Sequence, residues 1–235
     1  MKRKTSSNKL LKIIRKFIFR SVMFLFLFSI ISVILLRWLP VHYTPLMFIR
    51  YVENIEDEKY RNIREWKPID KISENVVMAV IAAEDNMFME HFGIDLEAVK
   101  KARKHNRIHG TKLGGSTITQ QTAKNVFLLP SRTWLRKALE AYFSVLIEIC
   151  WSKKRIMEVY LNIIETGNGL YGIETAAKTY FGKPASELSA NEAAQIASIL
   201  PNPRKLKIDK PAAELKEKQR KIRTQMLKMK RPVWD

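Results

Sequence analysis

Sixteen consecutive uncharged residues, Ser21 to Leu36 (SVMFLFLFSIISVILL), constrain this chain more than any other feature. Phe17, Ile18 and Phe19 extend the run before Arg20, and Trp38 and Leu39 extend it past Arg37. Both arginines can snorkel towards headgroups. That leaves about 20 apolar residues, the length one hydrocarbon thickness requires, with Trp38 suited to the far interface. Residues 1–39 hold nine Lys or Arg and no acid; the first acidic residue is Glu53. This bias predicts a cytoplasmic N-terminus, with residues 40–235 across the membrane. A cleaved signal peptide is the competing reading. The run is long for an h-region, however, and Arg37-Trp38-Leu39-Pro40 offers no small-x-small cleavage site. The expected organisation is a basic cytoplasmic tail (1–16), a transmembrane anchor (17–39), a connector (40–72) with Pro40 and Pro45, and one domain (73–235).

The anchor accounts for much of the charge. The chain carries 42 Lys plus Arg against 23 Asp plus Glu, a net +19, of which +10 belongs to residues 40–235. Nucleic acid, an anionic membrane surface and a phosphorylated substrate are the possible counterparts. Export of the domain makes nucleic acid the poorest of the three. At 46% hydrophobic and 10% aromatic the chain can bury a core, so wholesale disorder is excluded. A single cysteine excludes an intramolecular disulfide framework and a multi-thiolate zinc site. Cys150 reads as a small buried apolar residue.

From Ser73 onward the pattern is mainly α, with little period-2 alternation. Ser73 is placed to cap a helix carrying Val76, Val77, Val80 and Ile81, and Ser116 to cap a second after Gly114-Gly115. Ser131 begins a third with Leu135, Leu139, Tyr142 and Leu146 on its apolar stripe. Ser152 caps a fourth that stops before Gly167 and the Asn168-Gly169 turn. Ser189-Ala-Asn-Glu192 is a capping box ahead of a helix that Pro201 terminates, and residues 211–229 form a last, highly charged helix.

Three clusters carry chemistry. Glu84 and Asp85 end an apolar helix, where desolvation raises a carboxyl towards the range of a general base; a solvated acidic helix end is the plain alternative. Gly114 to Asn125 (GGSTITQQTAKN) offers free backbone N–H groups at a helix start, followed by Gln120, Gln121 and Lys124. It is not a Walker loop, and a polar-faced helix cap remains open. Arg132, Arg136 and Glu140 recur every four residues with Lys137 alongside. They read either as an intrahelical ion pair or as a diphosphate clamp whose carboxylate holds a divalent metal. His105 and His109 lack the Glu of a zincin helix and read as a surface pair. The Lys205–Arg231 tail reads as a solvated or lipid-facing helix.

Taken in order, Glu84-Asp85-x-x-Phe88-x-x-His91-x-Gly93, then Gly115-Ser116-Thr117-Ile118-Thr119-Gln120-Gln121, then Arg136-Lys137-x-x-Glu140, then Lys154-Arg155-Ile156-x-Glu158-x-Tyr160-Leu161-Asn162 resemble the peptidoglycan glycosyltransferase domain of class A penicillin-binding proteins. The match covers about residues 70–205. With no SxxK motif following, it is similar to the stand-alone, monofunctional Gram-negative version. The resemblance implies a lysozyme-like, two-lobed fold with a membrane-dipping jaw. It implies a polymerase that moves the growing glycan from its polyprenyl diphosphate to the 4-hydroxyl of lipid II, with inversion, at the inner membrane and with the catalytic domain in the periplasm.

By motif position, Glu84 matches the family's general base and Glu140 its second catalytic carboxylate, which holds Mg²⁺ or Mn²⁺ or orients neighbouring cations. Lys124, Arg132, Arg136 and Lys137 match the diphosphate-binding cations. Asp85, Phe88, Ser116, Thr117, Gln120, Gln121 and Asn162 match substrate-binding positions. Val126 to Leu129 with Trp134 would hold the site at the bilayer. Implied partners are lipid II, the nascent strand, the lipid bilayer and other cell-wall synthesis and division proteins, with no nucleic acid. Leu139 and Lys218 depart from the family pattern, which often has Lys and Arg there. A non-catalytic membrane-anchored scaffold and a lytic enzyme of the same shape are the rival functions.

Overall fold

A computed structural model describes residues 3–58, 60–110, 114–131 and 133–234, with side chains omitted at 3–10 and 109. It divides into two units, Met1–Leu39 and Pro40–Asp235.

The first unit is one helix, α1 (Arg3–Leu36). Its segment Leu11–Leu36, 26 residues of mean hydropathy 2.4, is long and apolar enough to cross a membrane by length and composition. Phe24, Leu25 and Phe28 are exposed, as suits a lipid-facing surface. Two of its serines are satisfied within the helix: the Ser29 hydroxyl donates to the Phe26 carbonyl (2.7 Å) and Ser32 to that of Ser29 (2.8 Å).

The second unit begins earlier than the sequence reading placed its domain. Residues 40–72, expected as a connector, fold as part of it. Thr44 caps α2 (Pro45–Glu53), with Pro45 in the first turn where its missing N–H costs nothing. Met47 anchors that helix at 0% exposure, and the Asn62 amide donates to the Met47 carbonyl (3.2 Å). Strand β1 (Ile63–Arg64) and a 3-10 turn at Ile69–Lys71 follow. Then come α3 (Glu74–Glu84), α4 (Leu96–His109), α5 (Ile118–Phe127), α6 (Trp134–Cys150) and α7 (Lys153–Ile163). Strands β2 (Glu165–Gly167) and β3 (Leu170–Tyr171) lead to α8 (Ile173–Phe181), α9 (Ala190–Ile199) and α10 (Ala213–Lys228).

Two helix clusters hold the core. In one, α3 packs against α9 and α10; in the other, α5 packs against α6 and α7. Val76 to Ile81 of α3 are all buried, so the helix is enclosed on every side rather than along one stripe. Ala193, Ala194 and Ala197 let α9 approach it closely. The α10 helix, read from its charge as solvated or lipid-facing, docks instead through Leu215, Gln219 and Ile222. Two or three apolar positions suffice to dock a helix, too few to outweigh its lysines in a sequence pattern.

Three further expectations shift by local detail. The Ser73 hydroxyl, placed to cap α3, donates to the Leu188 carbonyl (2.9 Å). Thr117 rather than Ser116 caps α5, and Thr133 rather than Ser131 caps α6. Cys150 is half-buried at the end of α6. By contrast Ser152 and the Ser189–Glu192 capping box cap α7 and α9 as expected. A small sheet, β1-β3-β2, has β3 parallel to β1 and antiparallel to β2. At the β2–β3 turn Gly169 has φ +73°, and a Cβ there would meet the Arg61 carbonyl oxygen at 2.1 Å; only glycine fits.

Candidate active site

Glu84 is the last residue of α3 and Asp85 its C-cap. Burial pushes the Glu84 carboxyl above its ordinary value and Asp85 adds to that, while the Gln121 hydrogen bond, Lys218 and Lys124 hold it down. Its two oxygens differ. Oε2 accepts from the Gln121 amide at 2.8 Å, whereas Oε1 is buried with no hydrogen-bond partner among the described residues. A carboxylate held by one oxygen and unpaired at the other is oriented to accept a proton. Behind Gln121, the fully buried Tyr160 hydroxyl donates to its Oε1 (3.3 Å).

Asp85 faces the other way. It accepts from His91 Nε2 (2.9 Å) and from the Ile118 backbone N–H (3.0 Å), fastening the start of α5 to the end of α3. Thr117 caps α5 reciprocally with Gln120 and donates to the Gly93 carbonyl (2.6 Å). Gly93 has φ +78° and an added Cβ would lie 3.0 Å from Glu148 Cγ. These bonds fix Glu84 relative to Gln121. A cavity of about 270 Å³ opens beside Glu84, lined also by Asp95, Lys101, Gly115 and Ser116.

The cationic half comes from α5 and α6. Glu140 is 2% exposed; Arg136 donates to it at 2.5 Å and Lys137 pairs with its other oxygen. Lys137 also donates to the Ser116 hydroxyl (3.2 Å), bridging the α5 entry to α6. Burial pushes the Lys124 amine down; Glu140 opposes this, Arg136 and Lys137 reinforce it, and Glu84 opposes it. A second cavity, about 340 Å³, is lined by Lys124, Asn125 and Arg136 with Leu46, Arg50, Leu128, Pro130 and Ser131.

The structure thus bonds Glu84 to Gln121, gathers Arg136 and Lys137 on Glu140, and sets Lys124 close enough to act electrostatically on both glutamates, while other expected site residues have work of their own. Phe88 is fully buried under the Lys153 ammonium (4.7 Å) and has no face for a substrate. The Thr117 hydroxyl and the Gln120 side-chain oxygen are spent on the cap, and Thr117 also lines the cavity beside Glu84. Both amide hydrogens of Asn162 donate, to the Lys67 and Glu158 carbonyls, and its oxygen accepts from Lys67 N–H, so it ties residue 67 to α7 rather than walling a pocket. Arg132 lies outside the described residues.

Of the two roles expected of Glu140, the structure displays the orienting of neighbouring cations. Both its oxygens are occupied by cations, and among the described residues no group of three or more His, Cys, Asp or Glu gathers to hold an ion. Of the apolar residues expected at the bilayer, Leu129 and Trp134 are exposed (65% and 91%), joined by Leu135, whereas Leu128 is buried and Phe127 stacks on Phe143 (4.5 Å). Sequence reasoning missed Arg50 and Tyr160 near the site. Tyr160 stands within a quoted motif, but nothing local separates it from a core tyrosine.

The family profile described as Transglycosylase matches residues 50–227, spanning α3 to α10 and both carboxylates. The chain belongs to the transglycosylase family. Relatives of this transglycosylase share about half its residues. It is 50% identical over 210 residues to the biosynthetic peptidoglycan transglycosylase of Bdellovibrio bacteriovorus, covering 89% of this chain and 84% of that one. It is 48% identical over 202 residues to the protein of that name from Bacteroides thetaiotaomicron (86% and 82% covered). The Caulobacter vibrioides protein of that name is 50% identical over 194 residues (82% of each chain). Both halves of the candidate site lie inside the matched segment.

Proposed function

We propose that this transglycosylase polymerises peptidoglycan glycan chains, using lipid II as acceptor and the polyprenyl diphosphate-linked chain as donor. Glu84 Oε1 takes the proton of the lipid II 4-hydroxyl as that oxygen attacks the anomeric carbon of the growing chain. The new C–O bond forms as the bond to the diphosphate breaks, with inversion, and the diphosphate leaves with the electron pair. Arg136, Lys137 and Lys124 stand where charge develops on the leaving group, so no acid is required there. A glycosidase would instead pair Glu84 with a second free carboxyl acting as acid or nucleophile. Glu140, locked between two cations, is not in that position.

The observation that carries the reading is the asymmetric carboxylate of half-buried Glu84: oriented through Gln121 at one oxygen, and at the other buried and unpaired among the described residues. Glu140 holds Arg136 and Lys137 in place. A divalent cation, when bound, would supply further neutralisation of the diphosphate; no step here depends on it. The α1 helix anchors the protein in the inner membrane with the N-terminus cytoplasmic, a reading supported by the basic residues in its N-terminal part, and the domain works in the periplasm. Exposed Trp134 and Leu135 meet the lipid surface, and other cell-wall synthesis and division proteins are its partners.

Fluorescent lipid II incubated with the full chain in detergent tests this. A glycan ladder that muramidase digests, lost in Glu84→Gln while lipid II remains bound, is the expected result. A ladder that survives the substitution overturns the base assignment. Absence of any ladder with the unaltered chain favours the scaffold reading.

A further inference from the structure

The cavity beside Lys124 and Arg136 has a wall that neither the motifs nor the proposed mechanism uses. Leu46 and Arg50 reach it from α2, a helix that sequence patterning left in a connector. The helix is fastened rather than loose. Thr44 caps it, Met47 is buried, α2 packs on α5, and the Asn54 side-chain amide donates to the Arg50 carbonyl at 2.7 Å.

The guanidinium is only partly used. Its NH1 pairs with Glu53 at 2.6 Å, while Nε is buried without an acceptor. Across the same cavity Arg136 repeats this arrangement: one terminal nitrogen on Glu140 and a buried Nε with no acceptor. The Lys124 amine between them makes no hydrogen bond among the described residues, and burial holds its affinity for a proton down. Buried donors without acceptors are costly unless something supplies the acceptors. Guanidinium forks match phosphate oxygens. The rest of the lining includes the apolar Leu46, Leu128 and Pro130. Cations beside an apolar wall suit an anion that carries a hydrocarbon chain.

We infer that Arg50 is a further phosphate-contacting residue of this enzyme, and that Leu46 of the same helix supports the first isoprene units of the polyprenyl chain. The inference rests on the polymerase reading and names a component of its diphosphate site. Glu53 competes with a phosphate for the guanidinium, and Glu165 is close enough to act electrostatically on Arg50 and Lys124.

The test uses the full chain in detergent, with polyprenyl diphosphate and inorganic pyrophosphate as separate binding probes. Arg50→Gln is expected to weaken both about tenfold, to raise the KM for lipid II more than it lowers kcat, and to be partly rescued by Arg50→Lys. Glu53→Gln removes the ion pair but keeps the guanidinium, so binding is expected to be at least as tight. Weakening equal to that of Arg50→Gln would show that α2 merely needs its bridge, and would overturn the inference. Leu46→Ser is expected to weaken polyprenyl diphosphate and leave pyrophosphate unchanged; equal effects on both overturn the wall. Arg136→Gln separates the two levels. If it weakens binding and Arg50→Gln does not, Arg50 has no such role and the polymerase site stands; if neither does, the diphosphate site itself is misplaced.

Discussion

The end of α3 and the middle of α6 each hold a glutamate, half-buried Glu84 and buried Glu140, and the two are treated in opposite ways. Glu84 receives one neutral amide and keeps an unpaired oxygen, with cations acting on it only from a distance. Glu140 is clamped on both oxygens by Arg136 and Lys137. Desolvation without a direct cation favours the protonated form and makes a base effective near neutrality. Two direct cations favour permanent ionisation and turn a carboxylate into a scaffold for positive charge. The same side chain therefore becomes a proton acceptor in one place and an organiser of cations in the other, through its neighbours alone.

The largest expected effect breaks the first half of this comparison. Glu84→Gln keeps the volume and the link to Gln121 but removes the base, and polymerisation is expected to fall by about 10²- to 10⁴-fold in a lipid II gel assay. Next comes Glu140→Gln, which leaves Arg136 and Lys137 facing each other without their counter-charge. Because the Lys137 side chain is 43% exposed, the expected loss is about 1–3 kcal/mol rather than the full cost of breaking a buried pair, read as a lower Tm. Added Mg²⁺ is expected not to restore its activity, since Glu140 acts through its cations. Restoration by Mg²⁺ would make Glu140 a metal ligand after all.

Smaller effects sharpen the contrast through pH. The base must be deprotonated, so the acidic limb of kcat/KM follows the raised Glu84 carboxyl. Lys218, which donates to the Ser198 carbonyl at 3.0 Å, lowers that carboxyl from a distance. Lys218→Gln is therefore expected to move the limb to higher pH, and an unmoved limb would detach Lys218 from the site. The smallest effect is on stability. A carboxyl raised by folding binds more protons in the native state, so stability declines as pH rises from the ordinary value of 4.5 through the folded one. Glu84→Gln is expected to raise Tm at neutral pH, with the gain vanishing in acid below 4.5; a lowered Tm would mean that Glu84 is satisfied where it sits.

The sequence motifs picked out Glu84, Gln121, Lys124, Arg136, Lys137 and Glu140 together, because chemistry of this kind needs charged or amide groups at fixed helical spacing. They did not separate those residues from Phe88 and Asn162, which share the motifs but turn towards core or backbone, or from Thr117, which lines the cavity beside Glu84 while its side chain caps α5. That distinction depends on partners far along the chain: Gly93 for Thr117, Lys67 for Asn162, Lys153 above Phe88. The α2 helix was hidden for a related reason. Nine residues with a single fully buried side chain are too short a stretch to stand out from a connector, and their place is decided by α5 and Asn62. Strands of two or three residues leave no alternation to read at all. Caps were legible to within one or two residues, since several Ser and Thr side chains compete for each helix start.

The most direct test of unlike roles for the two glutamates is the pH dependence of lipid II polymerisation by the full chain, compared with Glu84→Gln and Glu140→Gln. The account predicts an acidic limb above the ordinary carboxyl range, kept in Glu140→Gln at reduced rate and absent from whatever residual activity Glu84→Gln retains. A limb that survives Glu84→Gln, or one that disappears with Glu140→Gln instead, would contradict it.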